Sequence, residues 1–371
     1  MIADRVRMQA YTRAMRESIR PGSVVLDIGT GTGVLALLAC KFGARRVFAI
    51  EPSDTIQLAR DLAAANGFAD RIEFMQALST EVDVPERADV IVSDLRGVLP
   101  LHDGHLPSIV DARERLLAPG GTLIPRSDTL WVALVQSPRQ HARIASPWME
   151  DFEGLDMRAG AALVANQWWR ADVGADELMS QPRCCASIDY GTVRSADLDA
   201  RATLVADRRG TTHGFCMWFD AVLAEGVGYS NAPGRDPLVY GRAFFPWRQP
   251  VELEPGDEVR LDLEALHTGR EYLWHWKSEF RGAGGQARAG FRQSTFLGQP
   301  LSPRQLKAQM PAHVPGLGDA GAADARILQW MGEGKSLGAI ALLAHREFTA
   351  RFPGEREAAS HVALLASKYG R

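Results

Sequence analysis

The sequence predicts an α/β domain on a parallel sheet, then an antiparallel β-barrel, then a small helical module, and three observations carry that reading. Short apolar runs alternate with helical patterns through the first third, the signature of βαβ units. From Arg126 to about Gln299 the pattern changes to period two, as in 129–134 and 258–263, with Gly, Pro and Asp between the runs. After a linker-like stretch rich in Pro, Gly and Ala at 301–322, three helical patterns close the chain at about 323–331, 336–348 and 355–369. The expected domains are therefore 1–125, 126–300 and 301–371.

The elements follow in order. Ser23-Val24-Val25-Leu26-Asp27-Ile28 is a buried strand that runs into a glycine loop, and 34–42 reads as a helix closed by Gly43. A second strand at 46–50 leads to a helix through Asn66, with Ser53 as the expected N-cap and Gly67 just past the end. Asp89-Val90-Ile91-Val92-Ser93 is another buried strand, followed by a helix to about Leu117 and a turn at Pro119-Gly120-Gly121 into Thr122-Leu123-Ile124. In the barrel, Trp274-His275-Trp276 alternates, so the tryptophans share one face and His275 takes the other. The segment 139–171 carries Trp148, Trp168 and Trp169 without strand periodicity and is read as an excursion offering a contact surface.

Composition narrows the function. Forty-six per cent apolar and 23% charged residues are those of a globular chain, which excludes disorder for most of it. A formal charge of −3 gives no basic field, so neither nucleic acid nor membrane is expected as a partner. Asp4, Arg5, Arg7 and Arg13 stand where a signal peptide needs apolar residues, which leads us to expect a soluble, cytoplasmic protein. Cys40, Cys184, Cys185 and Cys216 fit neither a disulfide framework nor a zinc site, so reduced thiols and no metal are expected.

Asp27-Ile28-Gly29-Thr30-Gly31-Thr32-Gly33 places its three glycines two apart, immediately after a strand and before a helix. A dinucleotide fingerprint would need its third glycine where Val34 stands. The tighter loop is the kind that S-adenosylmethionine sites use, and Glu51, at the end of the second strand, can accept hydrogen bonds from both ribose hydroxyls.

Over roughly residues 1–300 these features resemble the protein arginine methyltransferase family. Val24 to Gly33 is similar to its cofactor motif, and Asp4-Arg5-Val6-Arg7 with Tyr11 resembles its upstream D-x-V-R…Y segment. The resemblance implies that S-adenosylmethionine is the cofactor of a Rossmann-like methyltransferase domain. In that role Arg7 grips the methionine carboxylate, Asp27 supports the glycine loop, Glu51 holds the ribose, and Ser79 and Thr80 take the place of the residues that hold adenine. Leu123-Ile124-Pro125 resembles the family's exit into its barrel, often through a cis proline. Trp148 with Gly154-Leu155-Asp156-Met157 is similar to its dimerisation arm, here about 138–172, which implies a homodimer.

The family's paired acceptor-binding glutamates correspond to Asp94 and Asp103, nine residues apart, each shorter by one methylene or roughly 1.5 Å. The resemblance implies that they clamp a guanidinium of a peptide or small molecule, with catalytic Trp247 in Phe245-Pro246-Trp247 at the position of the family's Thr-His-Trp loop. Read alone, Asp94 ends a strand and Asp103 caps a helix, and an uncharged amine or hydroxyl acceptor using one of them as general base stays open, as does a silent dimeric scaffold. His102 and His105 flank Asp103 as a candidate base or acceptor contact, or as interfacial or solvated histidines. The C-terminal helices resemble small winged-helix modules that bind peptides beside peptide-modifying enzymes. A plain helical cap on the catalytic domains is the other reading.

Overall fold

The computed structural model describes residues 2–269, 271–300 and 302–370, which fall into two compact units, 1–300 and 301–371. The first unit opens with α1 (Arg5–Ser18), whose N-cap Asp4 accepts a hydrogen bond from the Arg7 backbone N–H. There follow β1 (Val24–Ile28), α2 (Val34–Lys41), β2 (Arg46–Ile50), α3 (Thr55–Ala65), β3 (Ile72–Met75), β4 (Ala88–Ser93), α4 (His105–Arg115) and β5 (Leu117–Ile124). The five strands are parallel in the order β3-β2-β1-β4-β5. β1 is buried along its whole length, which is why it is written as an unbroken apolar run around Asp27.

The peptide between Ile124 and Pro125 is cis, and the chain then enters the barrel-like half of the unit. Its elements are β6 (Ser127–Val135), α5 (Pro138–Ile144), α6 (Ser146–Met149), α7 (Arg158–Ala165), β7 (Trp169–Ala171), β8 (Arg183–Asp189), β9 (Leu198–Val205), β10 (Gly210–Ala224), β11 (Val227–Ser230), β12 (Arg242–Leu253), β13 (Glu258–Thr268), β14 (Glu271–Arg281) and β15 (Ala287–Ser294). One antiparallel sheet runs β7-β12-β10-β6-β8 with β11 beside β10, and the other runs β15-β14-β13-β9. β13 alternates buried and exposed residues almost perfectly, as period-two patterning requires. Aromatic rings fill the interior: Phe215 stacks on Phe245 at 4.6 Å between centroids, and Trp274 and Trp276 meet Phe245 edge-on.

The 138–172 excursion is three short helices. Trp148 lies over Gly160 within it, while Met149, Phe152 and Leu155 are more than half exposed at its tip. Two local expectations are corrected. Asp54, not Ser53, stands at the N-cap of α3, and it makes no side-chain cap hydrogen bond. Asp103 does not cap α4 either, since Gly104 is at that cap and Asp103 sits before it at φ +45°, a backbone region that Asp tolerates better than most residues.

The second unit contains α8 (Pro303–Ala308), α9 (Asp319–Gly332), α10 (Leu337–Glu347) and α11 (Glu355–Tyr369). Ile327, Trp330, Ile340, Ala344, Phe352 and Val362 form its own core. The linker expected at 301–322 thus holds a helix, started by Pro303 behind the Ser302 cap. Among the described residues this unit has no strand, so the wing of a winged helix is not formed.

Candidate active site

β1 ends under the glycine loop. Gly29, Gly31 and Gly33 all take positive φ, and a side chain on Gly29 would run into Leu95, so the loop and the segment after β4 close on each other at that point. An added Cβ on Gly31 meets nothing, leaving that side of the loop open to a ligand. Glu51, at the end of β2, accepts one hydrogen bond per carboxylate oxygen, from the N–H groups of Gly31 and Ser53, each at 3.0 Å. Each oxygen keeps a lone pair, which fits a vicinal diol.

Asp27 beneath the loop is fully buried. Its Oδ2 accepts from Thr30 Oγ1, its Oδ1 has no hydrogen-bond partner among the described residues, and burial raises its pKa to about 7. A cavity of about 340 Å³ opens beside the loop, lined among others by Gly29, Glu51, Ser79, Asp94, Asp103 and His102. Five of the residues expected from the sequence therefore share one wall system. Thr80 is exposed next to it.

Trp247 is elsewhere. It is 1% exposed inside the barrel, packed on Phe215 and Phe280 and donating from Nε1 to Thr212, and it lines neither this cavity nor the one described below. Its expected catalytic placement is corrected to core packing, because β12 is buried on both faces from Arg242 to Trp247.

Asp94 is already engaged. Arg7 Nε donates to its Oδ2 at 2.6 Å, the Tyr240 hydroxyl stands 2.7 and 2.8 Å from its two oxygens, and Arg96 Nη1 is 3.4 Å from Oδ1. Burial works against the charge of Arg7, but the carboxylate of Asp94 outweighs it and holds the guanidinium above the usual arginine range. Sequence reading missed Arg96. Its side chain has no exposure, grips Asp128 of β6 through Nε and Nη2 at 2.7 and 3.0 Å, and donates to Tyr11 Oη at 2.9 Å. This buried arginine ties the segment after β4 to the barrel, and the signal for it was the pair Arg96 and Asp128, which no spacing rule connects.

The two flanking histidines separate. Tyr190 gives its one proton to Asp128, so His105 Nε2–H donates to the Tyr190 oxygen, and burial drives the imidazole pKa well below its ordinary value. His105 is therefore a neutral core residue. His102 is exposed and lines both the 340 Å³ cavity and a second cavity of about 450 Å³ with Asp103, Trp168, Glu271, Tyr272 and Trp274. Among the described residues no cluster of His, Cys, Asp and Glu is arranged to hold a metal, and no helix is long and apolar enough to cross a membrane.

A glycine loop after the first parallel strand, an acidic residue closing the second and a barrel-like pair of sheets beyond define a Rossmann-like domain followed by a barrel-like one. Residues 9–124 match the family model described as ribosomal protein L11 methyltransferase. The chain is 31% identical over 245 residues to the probable protein arginine N-methyltransferase 6 of Arabidopsis thaliana, covering 64% of this chain and 55% of that one. It is 25% identical to the Arabidopsis thaliana protein arginine N-methyltransferase PRMT10 over 80% of this chain and 88% of that one. The chain spans between half and two thirds of the length of the first of these relatives. Among solved structures it superimposes on Arabidopsis thaliana protein arginine methyltransferase 10 (TM-score 0.70, 23% identity, 79% of this chain and 95% of that one). It also superimposes on the Trypanosoma brucei PRMT1 enzyme–prozyme heterotetramer with AdoHcy (TM-score 0.72, 22% identity, the same coverages). In sequence the chain is similar to protein arginine N-methyltransferases, and it shares their fold.

Proposed function

We propose that the protein is an S-adenosylmethionine-dependent methyltransferase that N-methylates an arginine or guanidino group on a peptide or small molecule. The observation that supports this most is the joint placement of Glu51, Gly29, Ser79 and Asp103 around one cavity at the carboxyl ends of β1 and β2. Glu51 holds the ribose through its two oxygens, and the backbone of the glycine loop lies against the rest of the cofactor. S-adenosylmethionine, when bound there, supplies a methyl group on a cationic sulfur that leaves as a neutral thioether.

The protein's own task is positioning. It must present the acceptor nitrogen's lone pair in line with the methyl carbon. The nitrogen that takes the methyl group must also lose a proton, so the chain has to offer that proton a way out. A carboxylate beside the guanidinium fixes its plane and draws the charge toward itself, which leaves the opposite nitrogen the better nucleophile. His102 and Asp103 stand at the junction of the two cavities, where that proton leaves.

We propose further that the exposed arm tip with Met149, Phe152 and Leu155 is buried in a homodimer. A second reading, another amine or an oxygen as acceptor, draws support from the engagement of both Asp94 oxygens by the chain's own groups. Calorimetric titration tests the cofactor assignment: S-adenosylmethionine and S-adenosylhomocysteine bind competitively and NAD does not. Tight NAD binding, or no binding of either adenosyl compound, overturns it.

A further inference from the structure

Resting on that reading, we propose that the exposed imidazole of His102 is the base that takes the acceptor's proton, at Nε2, and that Gly97 is the seat that holds its ring in place.

A base at this site has to reach the reacting nitrogen and be able to take up charge. Asp94 is 4% exposed, and its two oxygens already face Arg7, Tyr240 and Arg96. Asp103 is not free either. Glu51 is committed through its two oxygens to the N–H groups of Gly31 and Ser53 and, on the reading above, to the ribose. His105 is fully enclosed, with Nε2 bonded to Tyr190. Burial and then nearby Asp197 push the Tyr272 hydroxyl above the usual phenol range, so it keeps its proton at neutral pH.

His102 differs from all of these. It is exposed, makes no hydrogen bond or ion pair among the described residues, and lines both the 340 Å³ cavity beside the glycine loop and the 450 Å³ cavity on the barrel side. Its ring lies on Gly97. A Cβ added there would come 2.6 Å from Cγ and 2.8 Å from Nδ1 of His102, so the ring can occupy this place only because residue 97 has no side chain. The nearest ring atoms are Cγ, Nδ1 and Cδ2, which makes Nε2 the ring nitrogen farther from the glycine. With the proton of the neutral ring on Nδ1, Nε2 offers its lone pair.

In the step assigned to His102, the acceptor's N–H bond breaks and an N–H bond forms at Nε2. The electron pair of the broken bond stays on the acceptor nitrogen and cancels the positive charge gained with the methyl group. The imidazolium, being exposed, passes its proton to water and is restored. The titratable and charged groups around it are Glu51, Asp94 and Arg96 across the first cavity, Asp103 and His105 on its own segment, and His267, Glu271 and Tyr272 from β13 and β14. Arg96 is matched by Asp94 and Asp128, while Glu51 and Glu271 are negative, so an imidazolium formed here meets favourable charge.

The test follows methyl transfer by the full chain from S-adenosylmethionine to a short arginine-containing peptide between about pH 6 and 9. In the parent, kcat is expected to rise in proportion to hydroxide below one apparent pKa in the histidine range and to level off above it. His102→Gln, a change at an exposed position, is expected to lose that limb and to lower the plateau kcat roughly 100-fold, with peptide KM within about threefold and S-adenosylhomocysteine affinity within about twofold. Gly97→Ala keeps the imidazole but displaces it, and is expected to lower kcat at least about tenfold. Parental kcat in either variant, a loss confined to KM, or an acid limb that survives in His102→Gln overturns the base assignment while leaving the methyltransferase reading intact. If the parent binds S-adenosylhomocysteine but methylates neither the peptide nor free arginine, the guanidino reading itself falls and the base with it.

Discussion

Arg7 Nε lies 2.6 Å from Asp94 Oδ2, with the two side chains 5% and 4% exposed, so the residue expected to hold the cofactor's carboxylate is bonded to the one expected to hold the acceptor. The two roles are thereby coupled. Asp94 fixes Arg7, which the family resemblance puts at the cofactor's carboxylate. Asp94→Asn is therefore expected to reduce S-adenosylmethionine affinity by roughly tenfold, the equivalent of about 1.4 kcal/mol, through loss of a charge-assisted contact to Arg7. Calorimetry on the folded variant checks this. Parental cofactor affinity would show that Arg7 does not depend on Asp94.

Arg96 and Asp128 make the buried ion pair between the parallel and antiparallel halves of the first unit. Arg96→Met strands Asp128 without its cation, a change that costs about 3 to 5 kcal/mol when buried. At about 2 °C per kcal/mol in a unit of this size, the melting temperature should drop by at least about 6 °C. Arg96→Met combined with Asp128→Asn should recover part of that loss, because no lone charge remains. Additive losses in the double variant would show that the pair is not coupled.

Asp27 gives a pH dependence with a definite sign. Between pH ~4, where an unfolded aspartate ionises, and about 7, native Asp27 keeps its proton while the unfolded chain has lost its own. Stability contributed by this group therefore falls as pH rises through that window and levels off above it. Denaturation midpoints from pH 4 to 8 should show that slope in the parent and a shallower one in Asp27→Asn. Identical slopes would mean that Asp27 is ionised throughout.

Gly31 stands at φ +52° on the open side of the loop. Gly31→Val imposes a conformation that costs a β-branched residue on the order of 1 to 3 kcal/mol and places a side chain where the ligand should lie. We expect S-adenosylmethionine binding to be lost with the circular dichroism spectrum retained. Retained affinity would place the cofactor elsewhere.

The exposed tip of the arm predicts self-association. Light scattering should report about twice the 40.6 kDa chain mass, and Phe152→Ser with Leu155→Ser should shift the protein toward monomer. A parent that is monomeric at micromolar concentration would remove this assignment.

How much of this was legible in the sequence depends on the range of the interaction. The glycine loop, Glu51 and the alternation of β13 are local: spacing and period carry them, and they stand at 27–33, 51 and 258–268 as written. The Ser53 cap failed by one residue, because sequence signals place a helix start only to within a residue or two. Trp247 failed because a motif position says where a residue lies along the chain, whereas β12 is buried on both faces from Arg242 to Trp247, which leaves that ring in the packed interior. Arg96 with Asp128, and Trp168 with Glu271 and Trp274, were out of reach for a different reason. They are brought together only when the arm and barrel close on the parallel sheet, across 32 to more than 100 residues of chain.

The central claim is met most directly by incubating the protein with S-adenosylmethionine carrying an isotopically labelled methyl group and a short arginine-containing peptide, then locating the label by fragment mass spectrometry. The account predicts one or more labelled methyl groups on the arginine side chain. Label found only on another side chain, or no transfer to arginine by protein that binds S-adenosylmethionine, would contradict it.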